Sequence, residues 1–148
     1  MSLSPEAREE ALSRLASARV GHLATAAADG LPHAVPLCFA LVGEAVYSVV
    51  DDKPKKSRTG LRRLRNLEEN PRASLLVDHY EEDWKQLWFV CIEGDASLVR
   101  DSAEYRRARV ALRAKYPQYL VMEFHEATHP MIRIRIDKLS TWQGSALR

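Results

Sequence analysis

Short apolar runs divided by turn signals limit what this chain can fold into. Val20 to Ala26 is small and apolar and reads as a strand. Asp29-Gly30 follows, the strongest hairpin signal in the chain, because these residue types tolerate the positive φ of a tight turn. His33 to Val42 reads as a second strand, with Pro32 at its start and Pro36 marking an edge or a kink. Gly43-Glu44 then turns the chain into a third run, Ala45 to Val50. The three runs predict an antiparallel meander. Ala73 to Val77 is a further strand, and Leu87 to Glu93 and Asp95 to Val99 are two more around Gly94. In Met131 to Asp137, Ile132, Ile134 and Ile136 alternate with Arg133 and Arg135, so one face is buried and the other wet.

Helix signals fall between these runs. Ser4-Pro5-Glu6 supplies a hydroxyl cap, a proline in the first turn and an acid at the positive end of the dipole. Leu12, Leu15 and Ala18 give that helix an apolar face. Leu61, Leu64 and Leu67 mark a second helix, which Ser57 or Thr59 can cap and Asn70-Pro71 stops. Asp101 with Glu104 resembles a capping box for a third. Tyr105, Ala108, Leu112 and Tyr116 line its buried side, and Pro117 ends it. Asp78 to Lys85 reads as a polar loop with two aromatics. Six or seven short antiparallel strands with two or three helices, in 148 residues, favour a small closed or nearly closed barrel with helices outside. The expected fold is mainly β (β+α) and a single domain. Residues 1–19 form the N-terminal helix, 20–142 the barrel and helices, and 143–148 a short tail.

Composition narrows the function classes. The net charge of +2 does not suit a polyanion binder, so any electrostatic function must be local. The N-terminus has no apolar core of a signal peptide, and no apolar run approaches the roughly 20 residues needed to span a bilayer. Cys38 and Cys91 lie in strand-like runs, where free thiols are expected. A reducing cytoplasm is the expected compartment.

Charge is concentrated in Asp51 to Arg72. From Lys53 to Arg65 there are seven Lys or Arg residues and no acid, and three of the chain's six lysines fall at 53, 55 and 56. A run without internal ion pairing, leading into a helix N-terminus, suits an anion. Nucleic acid fits less well, because the nearby aromatics Tyr80 and Trp84 sit among Glu81, Glu82 and Asp83. A discrete anionic ligand is the better reading. No Gly-rich phosphate loop and no nucleophile motif is present, with only six glycines in the chain. His125-Glu126-Ala127-Thr128-His129 matches the H-E-x-x-H zinc signature, but Pro130 and a strand follow at once and no clear third ligand lies downstream. It reads as a surface loop or helix end, and no metal site is assigned.

The order of these elements resembles a known family. The Asp-Gly turn, Pro32-His33-Ala34-Val35-Pro36, the basic stretch and Leu67-Glu68-Glu69-Asn70-Pro71-Arg72 before a buried strand are similar to the pyridoxamine 5'-phosphate oxidase-like flavoproteins, which have an FMN-binding split β-barrel. Asp51-Asp52-Lys53-Pro54-Lys55, Asp78-His79-Tyr80 and Asp83-Trp84 resemble an actinobacterial branch that uses the deazaflavin coenzyme F420. The likeness runs from about Val20 to Trp142. It implies an oxidoreductase that moves a hydride between F420 and a small organic acceptor. FMN is the alternative cofactor, and a non-catalytic flavin or heme carrier on the same fold the alternative function. It also implies a homodimer with cofactor sites at the interface, for which Trp84, Trp88 and Tyr80 are candidates.

By position, the resemblance places the cofactor phosphate on Arg62 and Arg63, where the family has Arg-Lys. Arginine binds phosphate bidentately, so the role survives the replacement. His33, Ala34, Val35 and Pro36, with Ser48, Val49 and Val50, match the segments along the ring system. Trp142 matches a cofactor-contacting tryptophan. Lys53, Lys55 and Lys56 extend the cationic surface, as the longer anionic tail of F420 requires. The chain stops at Arg148, short of the oxidase's substrate arginines, so that oxidase activity is not expected. His33 is the one candidate proton donor.

Overall fold

Each apolar run finds a neighbour that buries one of its faces. The computed structural model describes residues 2–51 and 61–146. Among them are eight strands and three α-helices: α1 (Pro5–Ser17), β1 (Gly21–Ala26), β2 (Pro32–Leu37), β3 (Ala40–Val42), β4 (Ala45–Val49), α2 (Arg62–Glu69), β5 (Arg72–His79), β6 (Trp88–Leu98), α3 (Ser102–Lys115), β7 (Met131–Arg135) and β8 (Lys138–Gln143). The strands pair antiparallel in the order β2-β1-β5-β6-β7-β4-β3, and β8 also pairs with β6. This is the antiparallel split barrel, with β6 shared by both sheets.

Three details depart from the sequence reading. The second run is not one strand. It breaks at Cys38-Phe39 into β2, which pairs with β1, and β3, which pairs with β4 at the far end of the order. The meander is therefore absent. Phe39 turns fully into the barrel core, and side chains satisfy the backbone it leaves behind. Ser48 Oγ donates to Cys38 O at 2.7 Å, and Phe39 N–H donates to Tyr116 Oη at 3.2 Å. Second, the runs on either side of Gly94 form one strand, β6. A Cβ at Gly94 would run into the Arg135 carbonyl, so glycine permits the close approach at a barrel corner. Before the corner β6 pairs with β8, and after it with β7. Third, β8 was not foreseen, because Lys-Leu-Ser-Thr-Trp-Gln lacks a clean apolar alternation. In addition, β5 extends to His79, taking two residues from the expected polar loop.

Two cores result. The barrel interior holds Leu23, Val46, Leu75, Ile92, Ile132 and Ile134, closed by Ala11 and Leu15 of α1 and by Leu64 and Leu67 of α2. Each such aliphatic contributes about 1.5–3 kcal/mol through burial. A second cluster lies under α3, where Tyr105, Ala108 and Leu112 cover Ala45, Tyr47, Val49 and Met131. Strand β4 serves both cores with alternate residues and is buried throughout. Ser4 Oγ caps α1 by accepting from Ala7 N–H at 3.1 Å, and Asp101 caps α3 by accepting from Glu104 N–H at 2.9 Å. The Glu104 carboxylate does not reach back to complete a capping box. It accepts from Tyr47 Oη at 2.6 Å and from Arg133 Nη1 at 2.7 Å. Helix α2 has Leu61 at its N-cap and no side-chain cap bond, while Ser57 and Thr59 fall outside the described residues. Both cysteines are free thiols, and no described helix is long and apolar enough to cross a membrane.

Candidate functional site

Strands β2 and β3 end the strand order without pairing to each other, and a cavity of about 460 Å³ is lined at their junction. One wall is Val35, Pro36, Leu37 and Cys38, running from β2 into the break. Ser48 and Val49 of β4 face it, and Asp51 lies just beyond that strand. Leu61 and Arg63 come from the start of α2. Val20 precedes β1, and Tyr119 comes from the 3₁₀ turn Pro117–Leu120. The cavity is thus an apolar slot with an arginine and a carboxylate in its lining.

The electrostatics favour an anion at the α2 end. Burial pulls the Arg63 guanidinium down from its ordinary value, against the pull of Asp51. Burial also pulls the His33 imidazole down, and the charges of Arg62 and Arg63 add to that shift. His33 Nδ1 and Arg63 Nε are buried and have no hydrogen-bond partner among the described residues. Three basic side chains so close, with orphaned nitrogens on two, fit a phosphate-bearing ligand that would supply oxygens to them. Tyr119 Oη donates to Asp51 Oδ2 at 2.7 Å, and both residues are buried. Burial and the carboxylate together push that phenol up.

The structure sorts the candidate residues. Val35, Pro36, Ser48, Val49 and Arg63 share the cavity lining, and His33 and Arg62 stand close enough to Arg63 to form one charge cluster. Three candidates lie elsewhere. Val50, just past β4, is fully buried in the barrel core. Ala34 is exposed on the outer sheet face, opposite in sense to His33 and Val35. Trp142 is on β8, stacked with Phe89 at 6.2 Å between centroids, and lines a separate groove with Leu76, Tyr80 and Trp88. Within one protomer it does not line the cavity. Lys53, Lys55 and Lys56, with Arg58, lie outside the described residues. Burial, with the charges of Arg62 and Arg63, disfavours the protonated form of His33.

The sequence reading assigned no site role to Asp51, Tyr119, Cys38 or Leu61. Asp51 sat at the edge of the basic stretch, but its charge directed attention to the cations beside it. Tyr119 carries no signal beyond following Pro117. The H-E-x-x-H stretch is a turn in which His129 N–H donates to His125 O at 2.8 Å. His129 is buried, and its Nδ1 accepts from His125 N–H at 3.2 Å and contacts Thr128 Oγ1 at 2.8 Å, while His125 is exposed. The two rings meet edge-on at 6.4 Å between centroids across a turn and not on one face of a helix, so the helix-face geometry of the zinc signature is not formed.

A split barrel with a cation-rimmed slot at its junction points to one family, and the chain belongs to it: the pyridoxamine 5'-phosphate oxidase family, whose pattern matches residues 7–143. No curated protein matches the chain. Among solved structures it is similar to an FAD-binding protein from Mesorhizobium loti, at 26% identity and a TM-score of 0.66, covering 94% of this chain and 92% of that one. It is similar to a heme-binding protein from Mycobacterium smegmatis, at 25% identity and a TM-score of 0.69, covering 98% of this chain and 61% of that one. A conserved hypothetical protein from Mycobacterium tuberculosis shares the fold at 23% identity and a TM-score of 0.71, covering 97% and 87%.

Proposed function

We propose that this chain is an F420-dependent oxidoreductase that seats the deazaflavin in the cavity at the β2–β3 junction and reduces a small organic acceptor. The observation that carries the reading is the cluster of Arg63, His33 and Arg62 beside an apolar slot, with buried nitrogens left for an incoming anion. Arg63 and Arg62 hold phosphate, and His33 adds a hydrogen bond. Val35, Leu37 and Val49 supply apolar walls that exclude water from a planar ring. Lys53, Lys55 and Lys56 continue the cationic track along a longer anionic tail. The cofactor itself supplies a hydride, so the protein's work is binding, orientation and shielding.

FMN is the second reading, favoured by the likeness to the FAD-binding protein. A carrier without turnover is the third, favoured by the likeness to the heme-binding protein. The chain is further proposed to act as a homodimer through the outer face of β2, β1, β5, β6 and β8. Ala34, Ala24, Pro36, Leu76, Phe89 and Trp142 leave that face small and apolar, and all six are exposed in one protomer.

Titration of the purified protein with F420 and with FMN separates these readings. F420 is expected to bind more tightly, and the double variant Lys53→Ala, Lys55→Ala is expected to weaken F420 by at least about tenfold while changing FMN little. Tight FMN binding with no F420 binding would leave the second reading. F420 binding with no hydride transfer to a panel of quinone, nitro and enone acceptors would leave the third.

A further inference from the structure

The three most exposed large apolar side chains among the described residues lie together, over the second half of α3. Val110 is 68% exposed, Leu120 66% and Val121 88%. They line neither cavity described above. Leu120 and Val121 belong to the turn after α3, and that turn is clamped to the helix. Arg113 Nε donates to Tyr119 O at 3.0 Å and its Nη2 to Met122 O at 3.2 Å, so the chain is held on both sides of the pair. Arg109 Nη1 donates to Phe124 O at 3.3 Å, and the Arg113 guanidinium lies 5.0 Å over the Phe124 ring. Val110 stands one turn before Arg113 on the same side of α3. Leu120 and Val121 thus project from a fixed turn beside Val110.

The charge around this patch is mostly of one sign. Helix α3 carries Arg106, Arg107, Arg109, Arg113 and Lys115 against one acid, Glu104, whose carboxylate accepts from Tyr47 and Arg133. Arg106 lies one turn before Val110, and Arg107 flanks it on the other side. Both arginines are exposed, and neither makes a salt bridge among the described residues. The aromatic side chains here, Tyr105, Tyr116, Tyr119 and Phe124, are all buried. A protein-docking face would ordinarily present aromatic anchors at its centre. Aliphatic tips beside unpaired arginines suit an anionic bilayer instead, where the tips enter the acyl boundary and the guanidinium groups stay with lipid phosphates. We propose that Val110, Leu120 and Val121, with Arg106 and Arg107, form a docking face for an anionic lipid bilayer. Glu123, exposed next to the turn, opposes that contact and keeps it weak and reversible. The face is borne by α3, which covers β4 and β7, so the homodimer proposed through β2, β1, β5, β6 and β8 leaves it open. It does not depend on which cofactor the cavity holds.

The test is co-sedimentation of the full chain with sucrose-loaded vesicles, of phosphatidylcholine alone and of phosphatidylcholine with about one-third phosphatidylglycerol, with a thermal melt of each protein. Wild type is expected to bind the anionic vesicles, to ignore the neutral ones, and to dissociate as salt is raised. Leu120→Ser with Val121→Ser is expected to weaken binding by at least about tenfold at unchanged charge, which separates this face from the basic stretch at 53–65. Arg106→Glu with Arg107→Glu is expected to abolish binding, and Glu123→Gln to strengthen it by a few-fold. All the substituted positions are exposed, so melting temperatures are expected to stay close to wild type. No binding by wild type, or binding that both double variants retain, overturns the inference. Equal binding to neutral vesicles also overturns it, because the adsorption is then apolar alone. Capture by immobilised polyglutamate without any vesicle binding replaces the bilayer with an acidic protein partner, and overturns it too.

Discussion

Lys115 ends α3 with its ammonium buried against the core. Nζ lies 3.8 Å from the Phe39 ring centroid and has no hydrogen-bond partner among the described residues. Burial, with the nearby charge of Arg19, pulls its pKa to about 8 from the ordinary 10.5. Between those values the unfolded chain binds more protons than the folded one, so this residue makes stability rise with pH across that window. Below it, the folded chain carries the cost of a buried ammonium, offset in part by the aromatic face. Lys115→Met keeps the length and removes the charge. It is expected to raise stability by about 1–2 kcal/mol at pH 7 in urea unfolding, with the gain fading as pH approaches 10.5. An equal gain at both pH values would point to packing alone. Nothing in the sequence around Lys115 separates it from the other basic residues of α3. The break at Cys38-Phe39 brings Phe39 under the helix end, where its ring joins that of Tyr116, whose centroid is 5.3 Å from Nζ, beside the ammonium.

Helix α2 carries the arginines proposed to hold the anion. Arg62, Arg63 and Arg65 place cations at the positive end of its dipole, and no side chain caps it. What holds it is its other face: Leu64 and Leu67 enter the barrel core, and buried Asn66 Nδ2 donates to Thr25 Oγ1 of β1 at 3.0 Å. An anion bound there removes the repulsion and stabilises the fold by linkage. Inorganic phosphate at tens of millimolar is expected to raise the melting temperature of wild type by a few degrees, and the double variant Arg62→Ala, Arg63→Ala to lose most of that rise. Sodium chloride at matched ionic strength is the control. At this scale much was legible. The three-residue leucine spacing located α2, strict alternation located β7, and Ser4 and Asp101 marked the caps they form. What escaped depended on tertiary context. Leu37 to Val42 is a continuous apolar run whose break is imposed by Phe39, Ser48 and Tyr116 from three separate elements. Trp142 could be placed by resemblance, but the protomer sets it on a different face.

For the whole molecule, the proposed homodimer puts the outer sheet face at the interface. Its central row runs Pro36, His22, Leu76 and Cys91 across four paired strands, with Phe89 and Trp142 beside it. Leu76→Arg puts a charge at the middle of that row without touching either core. Light scattering after size exclusion is expected to show a dimer for wild type and a monomer for the variant, with weaker cofactor binding in the monomer. A monomeric wild type would remove the dimer from the proposed function.

The open junction leaves a strand edge that another chain could pair with. Among the described residues strand β2 pairs only with β1, so its other edge is a template for a stranger's strand. Ala27 N–H donates to Leu31 O, and that alternation turns the nitrogens of Pro32 and Pro36 away from β1, toward the open side. Proline there has no hydrogen to offer a docking strand. The two prolines that looked like interruptions in the sequence thus deny a docking strand two hydrogen-bond donors along the edge beside the cavity.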